Sequence, residues 1–225
     1  VSKAPLRIVF CVPGREFSGR FMDCWTALLS GCQKLGIEYA VSREYDPVVY
    51  YARNKVAGGN VRAGKKQKPW GGNLNYDFML WIDSDVIFKV SDMLQLIQCD
   101  VDIVSGLYLM ANRTHFAAVE HMDEEKFKQT GSFEFLKPET VAKKTAPFEV
   151  DYAGFGFTLV KQGVFEKLEY PWFRPIFMQI GECFEFTSED VGFCMQARDA
   201  GIKFLAHPKV IVGHEKSVIL HPEMR

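Results

Sequence analysis

Asp83, Ser84 and Asp85 close an apolar run, Phe78-Met79-Leu80-Trp81-Ile82, and a second apolar triplet, Val86-Ile87-Phe88, follows at once. Carboxylates at the end of a buried strand are costly unless something positive meets them. Side chains at i and i+2 of an extended segment point to the same side, so both acids can address one cation. An Asp-x-Asp triplet arises by chance about once in 300 residues, so its position carries the argument. Ligands of open α/β sheets bind beyond the carboxyl ends of the strands. An EF-hand loop counted from Asp83 would need Gly at Phe88 and Glu at Leu94, and neither is present.

Two further places combine chemistry with position. Ser188-Glu189-Asp190 opens a helical segment that runs to Gly201, where the acids either favour the helix dipole or serve a reaction. His214 follows a short strand, Val210-Ile211-Val212, and Gly213; a lone His is more often a surface or satisfied core residue than a ligand. Gly154 and Gly156, set among aromatics, point to a bend or to close backbone approach, with a ligand as one partner. They are not a dinucleotide fingerprint, because no third Gly stands at Leu159. Gly59 to Lys66 approaches a Walker A loop, but Lys66 stands where Ser or Thr is needed and the loop precedes a strand. It reads as a basic surface loop. Asn112-Arg113-Thr114 fits a glycosylation sequon and is given no weight.

These residues need a frame. Leu6 to Val12 is β-rich and breaks at Pro13-Gly14, and Ser18 to Leu35 carries Phe21, Trp25, Leu28, Leu29 and Cys32 at helical spacing until Gly36. Ile37 to Val41 reads as a strand, Val48 to Val56 as a helix, and Ala57 to Asn73 as a Gly-rich loop. Ser91 is expected to cap a helix through Ile97, and Asp102 to Tyr108 to form the next strand. Asn112 to Pro147 is charged and weakly patterned, an excursion over one face. Val150 to Val160 resumes a strand, and Ile202-Ala206 and Val210-Val212 are expected as two short ones. Strand and helix alternate as in a parallel α/β sheet.

The chain of 225 residues fits one generous domain or two small ones, and its formal charge of −1 disfavours nucleic acid as a partner. The six cysteines form no C-x-x-C pair and read as reduced core thiols. No apolar run approaches 18 residues and no secretory h-region stands at the start, so a cytoplasmic chain without a membrane span is expected.

In their order, these landmarks resemble the GT-A fold of nucleotide-sugar glycosyltransferases, in particular small family-2-like enzymes of the kind also carried by phages and large algal viruses. The resemblance covers nearly the whole chain: Pro13-Gly14-Arg15 after the first strand, Tyr51-Ala52-Arg53-Asn54 on the second helix, Asp83-Ser84-Asp85, Gly154 to Val160, Ser188-Glu189-Asp190 and His214. It implies one catalytic domain over 1–225, with a nucleotide-sugar half (1–110) and an acceptor half (111–225). It also implies a divalent metal, Mn2+ or Mg2+, on the donor diphosphate. The metal ligands would be Asp83, Asp85 and His214, with Asp85 the direct one and Asp83 working through water or the ribose. Arg15 and Arg53 are candidates for phosphate neutralisation, helped by Asn54, while Pro13, Gly14 and Ser84 would line the nucleotide. Asp190 matches the base of inverting enzymes, which deprotonates the acceptor hydroxyl; a retaining enzyme would use an acid there to bind the acceptor. The Q-x-x-R-W element of polysaccharide synthases is missing, and Gln196-Ala197-Arg198 does not replace it.

The function expected is transfer of one sugar from a UDP-sugar, with a GDP-sugar second, to a glycan or glycoconjugate. Two alternatives compete: a sugar-phosphate nucleotidyltransferase, for which Val12 to Phe17 is a poor phosphate loop, and a nucleotide-sugar-binding module without turnover.

Overall fold

A computed structural model describes residues 4–217. In chain order the elements are β1 (Arg7–Cys11), α1 (Gly19–Leu35), β2 (Glu38–Ser42), α2 (Val49–Val56), β3 (Phe78–Ile82), β4 (Val86–Ile87), α3 (Val90–Gln98), β5 (Ile103–Leu107), β6 (Ala118–Val119), α4 (Glu124–Thr130) and α5 (Pro138–Val141). There follow β7 (Phe148–Glu149), β8 (Tyr152–Ala153), β9 (Phe157–Lys161), α6 (Val164–Lys167), β10 (Phe177–Ile180), β11 (Cys183–Phe186), α7 (Glu189–Asp199), β12 (Phe204–Ile211) and β13 (Gly213–His214).

A seven-stranded sheet in the order β2-β1-β3-β9-β5-β12-β7 forms the centre. β1 pairs in parallel with β2 and β3, and β5 with β12, while β9 runs antiparallel between β3 and β5. β7 closes the far edge antiparallel to β12. The α/β class and the mostly parallel sheet are those expected.

Both faces of the sheet are covered, which is why β3 reads as an unbroken apolar run. Its alternate residues enter two cores: Met79 and Trp81 pack with Val56, Phe155, Phe165, Phe173 and Phe193 on the α2, α6 and α7 side. Phe78, Leu80 and Ile82 pack with Phe21, Leu28, Met93 and Leu96 of α1 and α3 on the other. Trp81 is fully buried and stacks on Phe165, with ring centroids 6.0 Å apart. Burying each such side chain contributes about 1.5–3 kcal/mol.

The caps of α1 fall where the sequence puts them. The Ser18 hydroxyl accepts from Phe21 N–H at 3.1 Å, and Gly36 takes the left-handed conformation at the end. α3 begins one residue before Ser91, with the Asp92 carboxylate accepting the Lys89 N–H at 2.7 Å. The two short strands expected after Gly201 are one strand, β12, whose register on β5 shifts between Ala206 and Ile211. Pro208, with no N–H to donate, lies inside that gap. The charged excursion holds β6, α4 and α5, and the β10–β11 hairpin stands where the apolar pattern announces nothing.

Candidate functional site

The chain turns at the carboxyl end of β3. Asp83 N–H donates to Gly156 O at 2.9 Å and Val86 N–H to Asp83 O at 3.1 Å, which sends the chain back as β4. β4 pairs antiparallel with β13, with His214 opposite Val86. This ribbon sets the His214 imidazole beside Asp85: Nε2 is 3.2 Å from Asp85 Oδ2. The other ring nitrogen, Nδ1, donates to the Leu109 carbonyl at 2.7 Å, which fixes the ring and directs Nε2 toward the acid.

Asp85 also takes the Lys216 ammonium at 2.7 Å. Burial works against its charge, but the hydrogen bonds from His214 and Lys216 outweigh burial and bring its pKa down to about 2. The same bond to Asp85 raises the His214 pKa against the opposing effect of burial.

Asp83 turns the other way. Its Oδ2 accepts from Arg53 Nη2 at 3.1 Å, and Arg53 Nε donates to Glu189 Oε1 at 3.0 Å. Arg53 is 4% exposed, set against the rings of Phe155 and Phe173. Burial disfavours its charge, but Asp83, Glu189 and Asp190 more than restore it. Glu189 is pushed above the usual carboxylate range by burial and by Asp190, with Arg53 opposing. One cation thus serves three carboxylates.

Asp190 stands in the first turn of α7. Its Oδ1 accepts from Val191 N–H at 2.9 Å and from the Ser188 hydroxyl, and its Oδ2 accepts from the Tyr152 hydroxyl at 3.1 Å. Ser188 is the N-cap by position but makes no side-chain cap; its hydroxyl serves Asp190 instead. Burial, and then Asp190, push the Tyr152 phenol well up, so it stays a donor.

The remaining expected residues divide. Gly14 lies so close to Ser84 that a Cβ on it would come within 2.7 Å of the serine Cβ, and Pro13 is buried beside it. That contact puts the loop after β1 against the turn that holds Asp83 and Asp85. Arg15 is not brought to this cluster: its side chain is 70% exposed, beside Glu16 and over the Tyr45 ring. Asn54 spends its amide on structure, donating to the Tyr50 and Phe173 carbonyls at 2.7 and 2.6 Å and accepting from Phe173 N–H. Gly154 and Gly156 admit a side chain, not a ligand. Tyr108 fills the space over both, and a Cβ on Gly154 would fall 2.0 Å from its hydroxyl.

Among the described residues no three His, Cys, Asp or Glu side chains gather as a ready metal cage. Asp85 and His214 are the pair suited to one. A carboxylate oxygen and an oriented imidazole nitrogen fit a divalent ion that draws its other ligands from a phosphate group and water. The sequence left Tyr152, Tyr108 and Lys216 unremarked; Tyr152 lies 38 positions from Asp190, and nothing local connects them.

No family model and no curated protein matches the chain. Solved structures do. A197 from STIV superposes with a TM-score of 0.52 at 15% identity, over 97% of this chain and 98% of that one. The catalytic domain of Drosophila beta1,4galactosyltransferase 7, solved with xylobiose, matches with a TM-score of 0.50 at 10% identity, over 94% of this chain and 71% of that one. GalNAc-T7, solved with UDP, GalNAc and Mn2+, matches with a TM-score of 0.50 at 14% identity, over 95% of this chain and 44% of that one. The fold of the chain is GT-A, as the order of its landmarks implied.

Proposed function

We propose that the chain is a metal-dependent glycosyltransferase that moves a single sugar from a UDP-sugar, or in second place a GDP-sugar, to a glycan or glycoconjugate acceptor. The observation that supports it most is the Asp85–His214 pair at the end of β3, with Nδ1 anchored on Leu109 and Nε2 directed at the Asp85 carboxylate. Similarity to a GalNAc-T7 structure that contains UDP and Mn2+ agrees with that reading.

In this reading Asp85 and His214 hold Mn2+ or Mg2+. When bound, the ion neutralises the charge that gathers on the diphosphate leaving group. Asp83, on the same turn, faces the donor's ribose while Arg53 holds it by a hydrogen bond. Pro13, Gly14 and Ser84 shape the nucleotide side. Arg15, exposed near Tyr45, reaches the diphosphate only from the rim.

Asp190 takes the proton of the acceptor hydroxyl. The acceptor oxygen forms its bond to the anomeric carbon as the bond from that carbon to the diphosphate breaks, and UDP leaves with the electron pair. Tyr152 and the Val191 N–H hold the carboxylate for this step. Residues 1–110, joined by His214, then serve the donor and the rest of the chain the acceptor. No helix among the described residues is long and apolar enough to cross a membrane.

The test is incubation with a panel of nucleotide sugars and candidate acceptors, with Mn2+ or with chelator. Mn2+-dependent release of nucleoside diphosphate together with a glycosylated product supports the reading. Release of pyrophosphate in a parallel incubation with a nucleoside triphosphate and a sugar phosphate, with no transfer from nucleotide sugars, would replace it with nucleotidyl transfer.

A further inference from the structure

Arg53 sits on α2, outside both the turn that carries Asp83 and the helix that carries Asp190, yet it touches both. Its fork is split: Nη2 goes to Asp83 at 3.1 Å, Nε goes to Glu189 at 3.0 Å, and Nη1 finds no partner among the described residues. At 4% exposure it is closed to a phosphate, although a guanidinium would suit one. We infer that Arg53 is a positioning residue that ties Asp83, on the donor side, to Glu189 and so to the neighbouring Asp190, coupling occupancy of the donor side to the placement of the base.

The inference rests on the donor and base assignments above. Its physical content is rigidity. The guanidinium is planar and is packed against Phe155 and Phe173, with centroid distances of 5.7 and 5.8 Å. Asn54, the next residue, pins α2 to the Phe173 backbone, so the stem of Arg53 has a fixed origin. A shift of Asp83 toward a donor therefore changes the balance of the fork between its two acids. Glu189 is 7% exposed and has little water to compensate. Its displacement moves the first turn of α7, where Asp190 resides.

The test is amide hydrogen exchange of the full chain with and without UDP and Mn2+, in the parent, Glu189→Gln and Arg53→Lys. In the parent, UDP is expected to slow exchange at residues 83–86 and by about threefold or more across α7. In both variants the effect at 83–86 should persist and that at α7 should vanish. Glu189→Gln should keep UDP affinity within about twofold while kcat drops about tenfold, the split expected of a misplaced base. Equal slowing of α7 in parent and variants overturns the inference, as does a parent in which 83–86 responds and α7 does not.

If UDP alters neither segment in the parent, the donor assignment fails. The coupling is then decided by Asp83→Asn without ligand. Faster exchange across α7, lost when Glu189→Gln is also present, supports it; no change in either background overturns it. A Glu189→Gln protein that exchanges faster throughout β1 and β5 as well marks the pair as plain scaffold and overturns it too.

Discussion

The Tyr152 hydroxyl donates to Asp190 Oδ2 at 3.1 Å, while the backbone N–H of Val191 donates to Oδ1 at 2.9 Å, so the carboxylate is oriented from both of its oxygens. Tyr152→Phe removes one of these contacts without removing the acid. The expected result is a kcat lower by about tenfold, in line with the loss of one hydrogen bond to a charged group. UDP affinity should be unchanged. A kcat equal to that of the parent would place the phenol outside the chemistry.

Asp190→Asn keeps shape and loses basicity. UDP and Mn2+ binding by calorimetry should match the parent, while sugar transfer falls by about 10²–10⁴-fold, the usual loss for a missing general base. Weakened metal binding would move Asp190 into the metal shell.

Gly154 and Gly156 lie against one tyrosine by different atoms. A Cβ at Gly154 meets the Tyr108 hydroxyl at 2.0 Å, and one at Gly156 meets ring carbon Cε1 at 2.8 Å. Each Gly→Ala change should destabilise by about 1–3 kcal/mol in urea unfolding, the cost of overpacking. In the Tyr108→Phe background the penalty at Gly154 should shrink and that at Gly156 should remain. Equal penalties in both backgrounds would contradict the contact.

The Asp85–His214 pair predicts a stability profile for the metal-free protein in chelator. Asp85 is lowered from an ordinary 3.8 to about 2, so its contribution is present above 3.8 and is lost as pH falls toward about 2. His214 is raised above an ordinary 6.5, so its contribution is present below 6.5 and is lost as pH rises through the folded value. Unfolding free energy should therefore be highest between these limits. The change on the acid side should be at most about 1 kcal/mol, because Asp85 is partly exposed. Asp85→Asn should flatten both slopes; slopes that survive in that variant would assign them to other groups.

What the sequence makes legible follows the range of the interaction. The apolar run of β3 and the acids that close it are adjacent, and the sheet buries both faces of the strand as the run requires. The capped ends of α1 are local as well. Arg53 and Asn54 are different: the resemblance implied a role for both at the donor phosphate, yet both are buried and met from distant segments, Arg53 by Asp83 and Glu189 and Asn54 by the Phe173 backbone. The paired glycines signalled a close approach, but Tyr108, their partner, comes from the end of β5 and could not be named from spacing. For the same reason the two acids of the β3 turn look like one cation site in sequence, whereas Asp83 engages Arg53 and Asp85 engages His214 and Lys216.

The claim that a divalent ion at Asp85 and His214 holds the donor is tested most directly by titrating UDP into the protein by calorimetry, with Mn2+ and with chelator, for the parent and for Asp85→Ala. Binding by the parent with Mn2+, lost in chelator and lost in Asp85→Ala, is the predicted result. UDP affinity that is the same in chelator, or unchanged in Asp85→Ala, would contradict it.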